Sequence, residues 1–321
     1  MKTPTFWSDR NCLSVLLSPL GKLYNLATQV NIKKHHPQKV NIPVICIGNL
    51  TAGGTGKTPT AISVAQLLQQ AKYTPYFVSR GYGGTLHNVI VDTQAHTPQQ
   101  VGDEPLLLAR QAPAVVNPNR YEAAIKAEQN GANIIIMDDG FQNPKLHKDL
   151  SFLVFDGGFG YGNGFCLPAG PLRESLSSGL KRADAVIIIG DDKHNLAQQV
   201  KLPVFKGKIT PVAPDFSEKN VIAFAGIGRP EKFYQSLREL NFNLVETINF
   251  PDHHFYSETE LSDLIRKAED KSCTLITTSK DMVKIPPHLR THFKVLEIKV
   301  KWEDETKLTD FIINKLSAQN N

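Results

Sequence analysis

Cysteine is scarce in this 321-residue chain, and Cys12, Cys46, Cys166 and Cys273 stand far apart with no C-x-x-C pair. That spacing excludes a disulfide framework and a zinc ribbon, and it fits a reducing compartment. Cys46 lies in an apolar run and reads as a core residue. Charge of one sign is also lacking. Lys and Arg number 36 against 31 Asp and Glu, a formal charge of +5. So small and diffuse an excess suits an acidic ligand or an anionic membrane surface, and no nucleic-acid partner is expected. Internal repeats, low-complexity tracts and unbroken apolar runs long enough to span a bilayer are absent as well. What remains is the composition of a folded soluble protein, long enough for two domains.

The N-terminal segment is patterned. Leu13, Leu16, Leu17, Leu20, Leu23, Tyr24 and Ala27 fall on one face of a helix, with Ser14, Ser18, Lys22 and Asn25 off it. Pro19 breaks the run, and Asp9 with the missing small-residue cleavage site counts against a secretory signal. The helix either packs on its own domain or lies in a membrane interface, helped by Lys33 and Lys34. The residue pattern by itself favours packing on the domain.

From residue 42 onward, apolar β-rich runs alternate with helical patterns. Strands are expected at Ile42–Ile47, Pro75–Ser79, Val89–Val91, Ala114–Val116, Ile134–Met137, Phe152–Phe155 and Ala185–Ile189, with helices at Thr60–Gln70 and Tyr121–Gln129. Near-continuous apolar strands between helices imply a parallel sheet covered on both faces. The proline-bearing stretch Leu202 to Pro214 reads as a connector. A second α/β set follows: Val221–Ala225, a helix near Glu231–Leu240, Asn243–Ile248, a helix from Ser257, Thr274–Thr278 and Lys294–Val300. Ser257-Glu258-Thr259-Glu260 has the capping-box form, and the Asn-rich C-terminus is expected to fray.

The first chemistry-bearing run is N-L-T-A-G-G-T-G-K-T-P-T, Asn49 to Thr60. It ends as a phosphate loop ends, but Thr51 stands where the general G-x-x-x-x-G-K-[ST] pattern has its first glycine. Its setting is strand, glycine loop, helix, which points backbone N–H groups and the positive helix end at an anion. Gly53, Gly54, Thr55 and Gly56 form the loop. Lys57 reaches the outer phosphates, the Thr58 hydroxyl can ligate Mg²⁺, and Pro59 is tolerated in a first helical turn. Ile134-Ile135-Ile136-Met137-Asp138-Asp139 supplies the strand-end acids that such a loop needs for metal.

Gly102-Asp103-Glu104-Pro105 precedes a helical run, so Asp103 is either a helix cap or a general base for an attacking hydroxyl. Phe250-Pro251-Asp252-His253-His254 ends a strand, and its histidines are turn residues or a proton-relaying partner of a carboxylate. Arg80 with Tyr82, Arg120 and Arg173 follow predicted strands or a glycine-proline turn. Ligands of open α/β sheets bind in such places, although solvated surface charge explains each one singly.

Together "IGNLTAGGTGKTP", "SRGYGG", "GDEP", "MDDGFQ", "LPAGPLRE", "FAGIGRPEKF", "FPDHHFY" and "TTSKDMVKI" resemble the tetraacyldisaccharide 4'-kinases of lipid A biosynthesis, in order from about residue 41 to 285. In that family Thr51 is the ordinary form of the loop. The resemblance implies an α/β fold in three parts: an N-terminal amphipathic membrane-interface helix (1–35), a P-loop NTPase parallel-sheet core (36–205) and a smaller α/β domain (206–321) joined by a hinge. It implies transfer of the γ-phosphate of ATP, with Mg²⁺, to the 4'-hydroxyl of a tetraacyldisaccharide 1-phosphate, the lipid A precursor. The reaction would occur at the cytoplasmic leaflet of the inner membrane, and a monomer is expected. By motif, Asp103 would be the base, His253 its partner and Lys57 the catalytic lysine. Thr58, Asp138, Asp139 and Glu104 would serve the metal, with Gln142 also near the acidic motif. Arg80, Tyr82, Arg120, His147 and Arg173 would face sugar or phosphate. The resemblance also turns the N-terminal helix toward the membrane. Two other classes stay open: a nucleotide switch (a GTPase or metallochaperone), for which no N-K-x-D is found, and a non-catalytic ATP-binding membrane module.

Overall fold

The structure is a computed structural model and describes residues 4–318. Helix α1 (Cys12–Lys34) opens with a reciprocal cap: Ser14 N–H donates to Asn11 Oδ1 and Asn11 N–H to Ser14 Oγ, each at 2.9 Å. Its orientation reverses what the leucine pattern alone favours. Ser14 and Gly21 are the buried residues, while Leu13, Leu16, Leu20, Leu23, Leu26 and Val30 are exposed. A Cβ on Gly21 would lie 2.7 Å from the Cys166 carbonyl oxygen, so the glycine permits the close approach. Helical periodicity reports that a face exists and not what covers it; here the small, polar face packs on the protein. No helix among the described residues is long and apolar enough to cross a membrane.

The larger sheet begins with β1 (Val44–Gly48), which leads through a loop into α2 (Lys57–Gln70). Next come β2 (Pro75–Ser79), β3 (Val89–Ile90), α3 (Pro98–Val101), α4 (Asp103–Ala109), β4 (Ala114–Val116), α5 (Arg120–Gln129) and β5 (Ile134–Asp138). The chain then forms β6 (Leu150–Asp156), α6 (Leu176–Leu180), β7 (Ala185–Ile189), α7 (Leu196–Gln199) and β8 (Val204–Pro211). β1, β2, β5, β6 and β7 are buried at every residue, as parallel strands with a layer on each face must be. Two apolar clusters, one on each side, fill those layers.

The second set comprises β9 (Asn220–Ala225), α8 (Pro230–Glu239), β10 (Asn243–Asn249), α9 (Glu258–Asp270), β11 (Thr274–Thr278), α10 (Ser279–Met282) and β12 (Phe293–Leu296). These strands form a separate parallel sheet in the order β10-β9-β11-β12. Helix α9 starts on the expected capping box, with Glu260 N–H donating to Ser257 Oγ.

Three expectations change. The connector at 202–214 is mostly strand β8, parallel to β7 and antiparallel to β13 (Ile298–Trp302). Lys206, Gly207 and Lys208 interrupt its apolar residues, and so hide the strand from a pattern search. The single strand expected at Lys294–Val300 is two strands, β12 and β13, which belong to different sheets and meet at Glu297. After β13, α11 (Glu305–Ser317) buries Leu308, Ile312 and Leu316 in the core of the larger sheet, and Trp302 Nε1 donates to Ser63 Oγ of α2 at 2.9 Å. The chain therefore returns to its first unit, and a second domain running from 206 to the end does not describe it. The terminus expected to fray, residues 319–321, lies outside the described residues.

The complete nine-strand order is β13-β8-β7-β6-β1-β5-β2-β4-β3. It brings the carboxyl ends of β1, β5, β2 and β4 to one edge, where an open α/β sheet presents its ligand site.

Candidate active site

Between β1 and α2, Gly53 and Gly56 adopt φ of 114° and 87°, values a side chain resists. A Cβ on Gly53 or Gly54 would meet nothing within 4 Å, which leaves the backbone open to an anion. Thr51 needs no glycine freedom because the loop entrance is paired backbone. Thr51 bridges antiparallel to Leu172, Ala52 N–H donates to Pro171 O (2.7 Å) and Arg173 N–H to Leu50 O (2.6 Å). Asn49 Nδ2 braces the loop from within, donating to Thr51 O (2.6 Å) and Thr55 Oγ1 (3.2 Å). Pro59 sits in the first turn of α2, where a missing N–H costs no helical bond.

The acids at the end of β5 have opposite environments. Asp139, at φ 50°, receives Arg173 Nη1 at 2.8 Å and lies 3.7 Å from Lys57 Nζ. Burial raises its carboxyl, but Lys57 and Arg173 outweigh that and hold it below the usual range. Asp138 accepts from Thr58 Oγ1 at 3.0 Å through Oδ2. Its buried Oδ1 has no hydrogen-bond partner among the described residues. Burial pushes this carboxyl up to about 7, with Glu104 adding to the rise and Lys57 opposing it.

Asp103 is the first residue of α4, and Gly102 at φ 91° takes the cap position. The carboxylate is thereby spared the capping role; Oδ1 accepts from the neighbouring Glu104 N–H, and Oδ2 lies 3.0 Å from His253 Nδ1. His253 follows β10 at φ 61°, so the contact joins the two sheets across 150 positions of sequence. Burial raises the Asp103 carboxyl, while the hydrogen bond from His253 and the charge of Lys280 bring it below the usual range. The same bond raises His253 above the ordinary histidine value.

Around this pair, Tyr82 is exposed with its ring 6.4 Å from that of His253, and Arg80 is exposed beyond β2. Arg120 is buried in the first turn of α5, where it donates to Asn117 O at 3.0 Å and leaves Nε unpartnered among the described residues. Desolvation, then the nearby Arg80, lower its guanidinium to about 10. Gln142 Nε2 reaches both Asn49 O (3.0 Å) and Glu174 Oε1 (3.1 Å). His147 does not join them. It sits 3.4 Å from Asp149, whose other oxygen accepts from Val44 N–H at the amino end of β1, opposite the phosphate loop. Its residue type suited an anion, but its place just before β6 puts it on the wrong edge.

Sequence reasoning missed three cations. Lys280 lies 3.4 Å from His253 Nε2; its run TTSKDMVKI carries part of the family resemblance, but no role was read for the lysine. Arg229 and Lys232 reach Asp156 Oδ2 at 2.9 and 3.1 Å, a second bridge between the units. Both contacts depend on how two sheets meet, and no local pattern encodes that.

A loop of this kind serves switches, pumps and kinases alike. The carboxylate–imidazole pair assembled across from it is what a switch has no use for, and the chain is accordingly a P-loop kinase. Proteins of the same build narrow the class. The profile of the LpxK family, tetraacyldisaccharide-1-P 4'-kinase, matches residues 13–317. A tetraacyldisaccharide 4'-kinase from Parvibaculum lavamentivorans is 48% identical over 297 residues, covering 89% of this chain and 87% of its own. That from Paramagnetospirillum magneticum is 43% identical over 315 residues, 96% of this chain and 97% of its own. A crystal structure of LpxK from Aquifex aeolicus in complex with ATP superposes with a TM-score of 0.77 at 29% identity, over 95% of this chain and 99% of that one. The chain belongs to the tetraacyldisaccharide-1-P 4'-kinase family, ATP-dependent phosphotransferases of lipid A biosynthesis. The switch and non-catalytic readings give way to this one.

Proposed function

We propose that the protein transfers the γ-phosphate of ATP to the 4'-hydroxyl of tetraacyldisaccharide 1-phosphate, with Asp103 as general base and His253 as its partner. The Asp103–His253 contact carries this reading. A sugar hydroxyl is a poor nucleophile, and a buried carboxylate kept ionised by an imidazole and a lysine is poised to take its proton. As the hydroxyl oxygen bonds to the γ-phosphorus, its proton passes to Asp103 and the bridging oxygen leaves with ADP. Lys57 and the loop N–H groups offset the charge on the transferring group. Arg80, Tyr82, Arg120 and Arg173 line the same edge and hold sugar or phosphate; His147 has no part.

The residues fit Mg²⁺. Among the described residues no cluster of three His, Cys, Asp or Glu could hold a metal unaided. Mg²⁺, however, commonly takes one or two carboxylates and completes its shell with substrate phosphates. Thr58 and the orphaned Asp138 Oδ1 supply such a half-site. Bound there, the ion would neutralise phosphate charge. Asp139 is already engaged by Lys57 and Arg173, and Glu104 Oε1 faces Lys280 at 4.0 Å.

The outward apolar ridge of α1 supports docking on the cytoplasmic leaflet, where the acyl chains of the substrate stay in the bilayer. That Asp103 and His253 come from units built on different sheets supports a site completed by closure at a hinge, which would limit attack by water. The test is incubation of pure protein in detergent with γ-labelled ATP, Mg²⁺ and the disaccharide 1-phosphate. Label should reach the lipid with wild type and fail to with a folded Lys57→Ala or Asp103→Ala variant. Hydrolysis to free phosphate without labelled lipid would overturn the assignment.

A further inference from the structure

Lys280 belongs to neither the phosphate loop nor the acidic strand end, yet its ammonium is ringed by groups from both units. Nζ lies 3.4 Å from His253 Nε2, 3.6 Å from Asp252 Oδ1, 3.8 Å from Asp103 Oδ2 and 4.0 Å from Glu104 Oε1. We propose that Lys280 is a positioning residue for the Asp103–His253 pair, holding the imidazole in the neutral form whose Nδ1–H faces Asp103. The proposal rests on the reading of Asp103 as the base.

The chemistry is that of a donor with no acceptor capacity. An ammonium can only donate, so the ring nitrogen it approaches must offer a lone pair. Nε2 is then unprotonated and the ring proton sits on Nδ1, 3.0 Å from Asp103 Oδ2. The alternative is close at hand. Asp252 Oδ1 lies 3.9 Å from Nε2 and rewards a proton there. With Nε2 protonated, the ring either becomes an imidazolium, which ties up Asp103 as an ion pair, or turns its bare Nδ1 toward a carboxylate with nothing to donate. Lys280 engages Asp252 and Nε2 at once and so works against both outcomes, its charge opposing the rise that Asp103 gives the ring. The ring of Tyr82 also neighbours the imidazole, with centroids 6.4 Å apart.

Lys280 is also built to stay in place. Helix α10 is four residues long, and a buried polar anchor fixes it from behind. Asp281 and Lys284 are fully buried and pair at 2.6 Å. Asp281 Oδ1 also accepts from Tyr256 OH (2.9 Å) and Gly226 N–H (3.1 Å), and Oδ2 from Thr278 Oγ1 (2.7 Å). The run Thr278-Ser279-Lys280-Asp281-Met282-Val283-Lys284 therefore has two faces. Thr278, Asp281 and Lys284 secure it within the second sheet, and Lys280 is presented across the gap to Asp103.

The experiment compares the full-length wild type with Lys280→Met and Lys280→Arg in detergent. The His253 ring nitrogens are read by long-range ¹H–¹⁵N NMR and assigned with His253→Gln. At a pH above the raised value of the ring, wild type should show the neutral Nδ1–H tautomer. Lys280→Met should shift the ring toward Nε2 protonation and lower kcat by about 10–100-fold, part of the 10²–10⁴ a base contributes, with the ATP KM unchanged. Lys280→Arg, which keeps a cationic donor, should recover both the tautomer and most of kcat. A wild-type His253 spectrum in Lys280→Met would overturn the proposal, as would equal impairment of the Met and Arg variants. Full activity of Asp103→Ala would instead remove the base assignment, whatever Lys280 does.

Discussion

Removing the outward leucines of α1 separates surface from core directly. Leu16, Leu20 and Leu23 are 76%, 52% and 63% exposed. Replacing all three by Ser should therefore leave the fold nearly untouched, since exposed substitutions away from special features change stability by about 0.5 kcal/mol or less. Burying a whole leucine is worth about 1.5–3 kcal/mol, and the three together offer close to two leucines of exposed surface. If the ridge enters the lipid interface, its loss should cost about 3–6 kcal/mol of binding, or about 10²–10⁴-fold in partition constant. Co-sedimentation with vesicles of phosphatidylethanolamine and phosphatidylglycerol measures the partition, and a thermal melt of the same sample measures the fold. Lys33 and Lys34, in the last turn, should make the wild-type binding partly salt-sensitive. Vesicle binding equal to wild type would refute the docking role, and a large fall in Tm would show that the leucines support the core after all.

Asp103→Ala and His253→Ala should each lower kcat by about 10²–10⁴-fold, and the double variant should lose little more, because groups acting as one unit are non-additive; multiplicative losses would separate their roles. Lys284→Met should destabilise the protein by about 3–5 kcal/mol in urea unfolding, since it leaves the buried Asp281 carboxylate without its cation; a loss under about 1 kcal/mol would mean the hydroxyl and amide donors suffice. Asp138 carries a raised carboxyl, and such a group favours folding fully below the ordinary carboxylate range near pH 4 and loses that advantage as pH rises through about 7. In EDTA without nucleotide, Asp138→Asn should therefore gain Tm on wild type as pH goes from about 4 to above 7; a pH-independent gap would contradict the burial of that charge.

Most of the larger sheet was legible because its strands are buried on both faces and therefore written as unbroken apolar runs, as in Ile134–Met137 and Ala185–Ile189. Strand β8 was not, because its run is broken by Lys206, Gly207 and Lys208 and half its surface is solvated. The passage from β12 to β13 read as one strand because nothing local marks Glu297 as a change of sheet. In the site, the contiguous pieces were readable: the glycine loop with Lys57 and Thr58, and the paired acids after β5. Asp103 and His253 were each ambiguous alone and became a pair only through the resemblance, a contact the structure then displays. Lys280, Arg229 and Lys232 were missed because their partners lie across the junction of two sheets. His147 was misplaced because residue type says nothing about which end of a strand a loop serves.

The route of the chain between the sheets has a mechanical consequence. It crosses outward after β8 and back at Glu297, and Val212 N–H donates to Glu297 O at 2.8 Å, so the two crossings run side by side and are stitched together. A single tether would let the smaller sheet swivel in any direction. Two adjacent tethers behave like the leather strip of a flap: they bend across one line and oppose torsion. Any displacement of His253 from Asp103 would thus be steered along one arc, and a return along it would bring the imidazole back to the same carboxylate oxygen. A proteolytic nick between 213 and 219 would leave the second strand of the strip intact, keeping the two units together with that steering weakened.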